Sequence, residues 1–413
     1  MNWTSALYGA GFAIAISVAT PAFSADITLN AILPMTGPTA GTGELFKNAL
    51  DYVFDEVNTT GGFHGNNISL RVLDDTGTAQ GGTDRVRQAI SSGARIILQG
   101  GGSAVAAAIA ADVKRWNERN ADNPVLLIML GAEAADLTRK DCQFYAFRTS
   151  TNADMRVKAL MKALYDNHKL GTKVFAIDQD YSWGREMDAA VKANAATYHY
   201  EVVGSVLHEV SKIQDFSPYV ERIRESGAET VVTGNWARDL LLLMQSVASA
   251  NLKAKFATAF LDEKGNIASA GRAALGSYIA NVFNAEAGGP EGEAYLKKFH
   301  DKTGADPVSA GNNAVIALRL LKNAINSIPE SDMNNPTAIA LALEKAKAPW
   351  VHGEVSIRPE DHQLRLPLVV SEVSTDAKFK VDGTDMGLKP VAVLSADETE
   401  VPLDGSCHMK RPG

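Results

Sequence analysis

The chain has 413 residues, 46% of them hydrophobic and 21% charged, with a formal net charge of −8. That is the make-up of a globular protein long enough for two domains. The acidic balance, with no basic stripe interleaved with aromatics, excludes nucleic acid as a partner.

The first residues, "MNWTSALYGAGFAIAISVATPAFSADITLN", hold an apolar stretch from Ala6 to Ala19, then Pro21 and small residues. Ala22-Phe23-Ser24 fits a small-x-small cleavage site, so residues 1–24 read as a secretory leader removed near Ser24-Ala25. The leader is unusual in having no Lys or Arg before its apolar run. The alternative, a buried or membrane helix, fits less well, because the run is short for a span. No Cys follows the cleavage region, so a lipid anchor is not expected there. No later segment is apolar for long enough to cross a bilayer. An exported chain meets an oxidising compartment, where Cys142 and Cys407 either form one disulfide or stay as two thiols. Their spacing excludes a cysteine-based metal cluster.

Ile27–Leu33 predicts a strand, and the apolar periodicity of Leu45–Val57 predicts a helix. Between them lies "LPMTGPTAGTGELF", a glycine-rich turn at a helix N-terminus and so a natural anion site. It is not a phosphate loop: Gly43 is followed by Glu44, not by Gly-Lys-Ser/Thr, and Phe46 stands where a dinucleotide fingerprint needs its third glycine. It is either an ordinary strand-to-helix turn or the site of some other anion. Strand, helix and strand then alternate through "ISLRVLDD", "GTDRVRQAISSG", "ARIILQGGGS", "AVAAAIAADVKRWNERN" and "PVLLIMLGAE", a pattern that indicates a parallel sheet covered on both faces. Asp74-Asp75 resembles a metal pair, but neighbours on a strand point to opposite faces, so the two read as strand-end caps.

The pattern restarts near Arg148–Asn152. Helices at "MRVKALMKALYDN", "GREMDAAVKANAAT", "YVERIRESG" and "ARDLLLLMQSVASAN" alternate with strands at "KVFAIDQD", "HYEVVGSVLHEV", "ETVVTGNW" and "AKFATAFLD". Pro and Gly in "AEAGGPEG" and "GADPVSAGNN" mark a second boundary. Two helical runs, "NAVIALRLLKNAIN" and "NPTAIALALEKAK", precede short strands in "EVSIRP", "LPLVVSEVS" and "KPVAVLSA". The whole is an α/β chain with two halves of similar size.

Ligands of open α/β sheets bind outside the carboxyl ends of the strands. That rule selects Thr42 and Gly43, Gly101 to Ser103 and Gly131 to Glu133 in the first half. In the second it selects Asp180 to Trp183, including Tyr181, then Asn235 with Trp236, and Phe260 to Asp262. Ser103 is placed either to cap its helix or to hold a carboxylate with the N–H groups after Gly102. It is no nucleophile elbow, because Val105 stands where that motif needs glycine. The histidines form no zinc motif; "HEVSK" at His208 lacks the closing His. His362 reads as a loop residue or a hydrogen-bond partner.

"ILPMTGPTAGTG", "EVNTTGGFHGNNISLRVLDDTG", "GGGSAVAAAIA", "GAEAADLT", "FRTS", "KVFAIDQDYSWGRE" and "VVTGNW", in that order behind a leader, resemble the type I periplasmic solute-binding proteins of ABC transporters, in particular the leucine/isoleucine/valine-binding group. The resemblance covers nearly the whole mature chain. It implies two doubly wound parallel-sheet lobes joined by three crossovers, with a ligand cleft between them. The crossings would fall near Arg148, Val282 and Leu366, so that lobe one is 25–147 with 284–366 and lobe two is 148–283 with 367–413. It implies a monomeric receptor, in the periplasm, that gives a small amino acid of the branched-chain or neutral kind to a membrane permease and carries no cofactor or metal. The tail "CHMKRP" resembles a subgroup that closes a disulfide there, pairing Cys142 with Cys407.

By the same resemblance, Ser103 takes the place of the family's carboxylate-binding hydroxyl. Gly131 and Glu133 fall on the turn that meets the ligand amine. Thr42 takes a position that is often aromatic, and Trp183 and Trp236 take positions often held by tyrosine. The acidic residue that pairs with the ligand ammonium falls near Phe260, a departure that leaves Asp262 or Glu133 to supply the countercharge. If neither does, an amine-free aromatic or aliphatic carboxylate suits the tryptophans. A ligand-sensing regulatory subunit is the other reading of the fold. An enzyme is disfavoured by the missing nucleophile, metal and cofactor motifs.

Overall fold

The structure is a computed structural model that describes Met1 and residues 27–403 and 405–412. The expected leader and its cleavage site lie outside the described residues.

The first half alternates regularly: β1 (Ile27–Leu33), α1 (Ala40–Thr59), β2 (Ile68–Asp74), α2 (Ala79–Ser91), β3 (Ile96–Gln99), α3 (Ser103–Arg119), β4 (Leu126–Met129) and β5 (Ala146–Arg148). Its sheet has the order β2-β1-β3-β4-β5, with every pairing parallel. All four residues of β3 and of β4 are buried, as expected of strands covered by helices on both faces. Helix α1 turns Phe46, Ala49, Leu50, Val53 and Val57 inward, a stripe at helical spacing.

The second half has α4 (Ala153–Asp166), β6 (Lys173–Gln179), α5 (Ser182–Asn194), β7 (Glu201–His208), α6 (Ser217–Ser226), β8 (Thr230–Thr233), α7 (Ala237–Ser249), β9 (Lys255–Thr258), α8 (Asn266–Ala270) and β10 (Tyr278–Asn281). The chain then leaves this sheet for α9 (Gly289–Thr303), α10 (Ser309–Ser327) and α11 (Pro336–Leu343), and for a small antiparallel sheet of β11 (Lys347–Trp350), β12 (Gly353–Ile357) and β13 (Leu364–Arg365). It returns as β14 (Leu368–Ser374), β15 (Gly387–Leu394) and α12 (Ala396–Thr399). The second sheet runs β15-β14-β10-β9-β8-β6-β7, and β14 and β15 are its antiparallel edge. Helix α10 packs along α1, where Gly311 approaches Ala49 closely enough that a Cβ would lie 3.2 Å from it.

Within their parallel strands the two sheets share one order. Taking β6 to β10 as the counterparts of β1 to β5, each reads second, first, third, fourth, fifth. Each therefore has its switch point beside its first strand, where open α/β sheets bind ligands. Both turns need a glycine. At Gly43 a Cβ would stand 2.2 Å from the Pro34 carbonyl oxygen, and at Gly184 it would stand 1.9 Å from that of Gln179.

Several elements depart from expectation. Helix α1 begins five residues early, because Gly43 is a packing residue inside the helix and not part of a loop. Helix α9 occupies a stretch read as a boundary. Its Gly289-Pro290 is a helix start, since proline in the first turn forfeits no helical hydrogen bond. Strands β5 and β10 are three and four residues long, and each ends in a polar residue, Arg148 and Asn281, without the dense apolar run that marks β3 and β4. Asp74 ends β2 as a cap: its Oδ1 accepts the N–H groups of Met35 at 2.9 Å and Thr76 at 2.8 Å, which fixes the opening turn. Cys142 and Cys407 are joined in a disulfide, with Cα atoms 5.5 Å apart. The tail beyond Val401 was expected with lobe two. It lies instead against the first half, where Arg411 pairs with Glu344 and sits over the Phe144 ring.

Candidate ligand-binding cleft

The two switch points face one cleft. Thr42, Phe46, Gly101, Ser103, Gly131 and Glu133 line it from the first half, and Tyr181, Trp183, Trp236, Phe260 and Glu263 from the second, with Ala310 and Asn313 of α10 completing the wall. A roomier hollow near His168, Arg224 and Lys253 lies at the amino ends of β6, β8 and β9, the wrong end of the sheet for ligand binding.

Ser103 is the first residue of α3, and its cap is Gly102. The Ser103 hydroxyl oxygen accepts the N–H groups of Glu133 at 3.2 Å and Ala134 at 3.1 Å. Both lone pairs are taken, so its proton is left to donate. Beside it lies the N-terminus of α3, where helices hold anions. A hydroxyl donor at a helix N-terminus has the chemistry to hold a carboxylate.

Glu133 reaches across to the other half. Arg156 of α4 grips both of its oxygens, Nε to Oε2 and Nη2 to Oε1, each at 2.7 Å. Glu133 is 4% exposed and Arg156 not at all, so this is a buried, bidentate pair between the lobes. Arg156 also donates to the carbonyls of Ala259 at 3.0 Å and Ala280 at 2.5 Å, at the ends of β9 and β10, and its guanidinium lies 5.1 Å from the Phe260 ring centre. Burial works against its charge, but the Glu133 carboxylate outweighs burial and holds the guanidinium above its usual range. A second bridge joins the lobes where Glu186 of α5 accepts the Ala135 N–H at 2.5 Å. Burial pushes the Glu186 carboxyl up to about 7.

On the far wall, Trp236 donates its indole N–H to the Tyr181 hydroxyl at 2.9 Å. That leaves the Tyr181 proton free to donate, and burial raises its pKa, so the phenol stays protonated. Trp183 is 1% exposed. Its indole N–H is bonded to the Gly234 carbonyl at 2.8 Å and its ring packs on Phe260. Glu263 brings a carboxyl to the cleft with no ion-pair partner among the described residues. Burial pushes it up to about 8, and Asp262 adds to the rise.

A family model described as periplasmic binding protein matches residues 26–378. The Leu/Ile/Val-binding protein homolog 4 of Brucella melitensis biotype 1 is 43% identical over 402 residues, 97% of each chain. The chain belongs to the periplasmic binding protein family. As such it is a solute-binding protein of ABC-type transport and not an enzyme. A leucine-, isoleucine-, valine-, threonine- and alanine-binding protein from Brucella ovis, in its closed conformation, matches with a TM-score of 0.91 at 43% identity, covering 94% of this chain and all of that one. A solute-binding protein from Rhodopseudomonas palustris BisB5, solved with 3,4-dihydroxybenzoic acid, shares the fold with a TM-score of 0.76 at 19% identity, over 92% and 99% of the two chains.

In this periplasmic binding protein, Thr42, Ser103, Gly131, Glu133, Tyr181, Trp183, Trp236 and Phe260 come together as the sequence suggests, and the structure narrows the roles of three of them. Ser103 does not cap its own helix; its oxygen receives N–H groups from the turn after β4. Glu133 is no free countercharge, because Arg156 consumes its carboxylate. Trp183 is mostly core. Asp262 is not in the cleft lining at all. Its Oδ2 accepts from the Ser309 N–H at 3.0 Å and the Ser309 hydroxyl at 2.6 Å, which caps α10. The residues missed are Phe46, Arg156, Glu263, Ala310 and Asn313. Glu263 follows Asp262 directly, and the strand-end rule would have reached it one residue further on. His362 is fully buried, paired with Glu344 at 2.7 Å and stacked on Phe147; it holds structure.

Proposed function

We propose that this chain captures a neutral α-amino acid and delivers it to a membrane permease. The ligand carboxylate would sit on the Ser103 hydroxyl and the α3 N-terminus, and its ammonium on Glu263. The observation that carries this reading is a cleft carboxyl, Glu263, that forms no ion pair among the described residues and stands in the opposite lobe from the carboxylate site. The names of the two 43%-identical Brucella relatives support a small aliphatic ligand. A ligand held by both lobes stabilises the closed form over the open one, and that difference drives closure. We assign 25–147 with 284–366 to one moving lobe and 148–283 with 367–400 to the other, and we place the chain, freed of its leader near Ser24-Ala25, in the periplasm as a monomer.

The aromatic wall supports a second reading, an amine-free carboxylate. A Glu263 that is protonated at neutral pH would donate a hydrogen bond to a carboxylate.

pH separates the two. An ammonium must displace the Glu263 proton, so amino-acid affinity rises from pH 6 to 8 and binding releases a proton. An amine-free acid needs that proton, so its affinity falls over the same interval. Calorimetry of valine and of benzoate across this range, in buffers of different ionisation enthalpy, reads both slopes. An amino-acid affinity that is flat in pH would remove Glu263 from the site.

A further inference from the structure

Asn313 is 1% exposed and lines the cleft, yet neither its Oδ1 nor its Nδ2 has a hydrogen-bond partner among the described residues. A buried amide left in that condition is destabilising, and buried polar side chains are normally satisfied. Its neighbour differs. The Asn312 Oδ1 accepts from the Tyr295 hydroxyl at 2.6 Å, which ties that side chain to the packing of α9 on α10 and leaves only its Nδ2 without a partner among the described residues. Asn313 shares its helix face with Ala310, three residues before it, and Ala310 also lines the cleft. The start of α10 is held by Asp262 of lobe two, which fixes that face toward the ligand. Of the other polar groups of the cleft, Ser103 is assigned to the carboxylate, Glu263 to the ammonium and Glu133 to Arg156; the Tyr181 hydroxyl keeps a proton to donate, whereas Asn313 offers both a buried donor and a buried acceptor without a partner among the described residues.

We propose that Asn313 reads the ligand side chain, and that the preferred ligand is a neutral amino acid carrying a side-chain hydroxyl. A hydroxyl can donate to Oδ1 or accept from Nδ2, whereas an aliphatic side chain of the same shape leaves both atoms dry and unpaired. A site built to hydrogen-bond a hydroxyl rejects the analogue that lacks it far more strongly than an apolar pocket distinguishes methylenes. The proposal rests on the amino-acid reading above.

The test compares isosteres by calorimetry on the mature full chain: L-threonine against L-valine, with L-allo-threonine as the stereochemical control. Threonine is expected to bind at least about tenfold tighter than valine, about 1.4 kcal/mol, and tighter than allo-threonine, whose hydroxyl points elsewhere. Asn313→Leu should shrink the threonine-to-valine ratio to near one or invert it. The wild-type comparison needs no variant, so misfolding of Asn313→Leu cannot obscure the result. Valine binding as well as threonine, or an Asn313→Leu change that weakens both equally, overturns the proposal while leaving the amino-acid reading intact. No binding of any of the three overturns both.

Discussion

The loops after β4 and after β9 each bring a glutamate to the cleft, Glu133 and Glu263, and the two have opposite fates. Glu133 meets Arg156 with both oxygens at 2.7 Å, so the pair is neutral and serves as a strut between lobes. Glu263 forms no ion pair among the described residues, and burial raises its carboxyl to about 8, although the Arg156 charge pulls the other way. The same residue type at equivalent strand ends is structural in one lobe and open to a ligand in the other. What decides is the partner, and the partner comes from a helix that neither loop reveals.

Breaking the strut should have the largest effect. Arg156→Leu leaves the Glu133 carboxylate buried and unpaired, a loss of about 3–5 kcal/mol in such pairs. The expected result is a large drop in denaturation midpoint, partly restored by the double change with Glu133→Gln. If Arg156→Leu leaves stability unchanged, the pair is not a strut. Glu263→Gln should act in the reverse sense. The free wild-type protein holds a proton on Glu263 that the unfolded chain has released between pH 4.5 and 8, so wild-type stability falls as pH rises through that window. The variant loses this slope and is the more stable of the two at pH 8. Its amino-acid affinity should fall about 100-fold, roughly 2.7 kcal/mol, and the rise of affinity with pH should vanish. Stability and binding would thus move oppositely at Glu263, whereas Arg156→Leu is read on stability.

Such contrasts also mark what the sequence makes legible. Strand ends are legible, because buried parallel strands are dense apolar runs and their carboxyl ends carry the polar residues of the cleft. That rule finds Ser103, Tyr181 and Trp236. Helix positions are not. Arg156 in "MRVKALMKAL" has the look of a solvated face, and its role exists only because two lobes meet across it. Asn313 stands where the boundary run "GADPVSAGNN" meets a helical one, and its significance is an unpaired amide, a property of three-dimensional packing. Asp262 and Glu263 are neighbours of similar chemistry. Only the turn geometry sends one carboxylate to cap α10 and the other to the cleft. The short β5 and β10 escape for another reason: Ala146–Arg148 and Tyr278–Asn281 lack the unbroken apolar run that makes the equally short β3 and β4 stand out.

Smaller effects sharpen the comparison from the carboxylate side. Ser103→Ala removes one donor to the ligand and the acceptor of the Glu133 and Ala134 N–H groups. It should weaken amino-acid binding about tenfold while leaving the affinity for the corresponding amino-acid amide, which has no carboxylate, nearly unchanged. An equal loss for both ligands would assign Ser103 to support of the turn alone.

The mildest change is at Trp236, and it tests whether the second lobe positions its donor as the first does. Trp236 gives its indole N–H to the Tyr181 oxygen, much as the Glu133 and Ala134 N–H groups occupy the Ser103 oxygen; in each case an oxygen already engaged as acceptor must direct its own proton elsewhere. Trp236→Phe keeps an aromatic wall but frees the phenol to turn. The expected loss is about 0.5–1.5 kcal/mol of binding, with the thermal midpoint little altered, because Trp236 is only half-buried. Trp236→Ala, which also removes the wall, should lose clearly more. If the phenylalanine variant binds as wild type while the alanine variant does not, the indole contributes surface and not orientation, and the likeness between the Ser103 and Tyr181 hydroxyls fails.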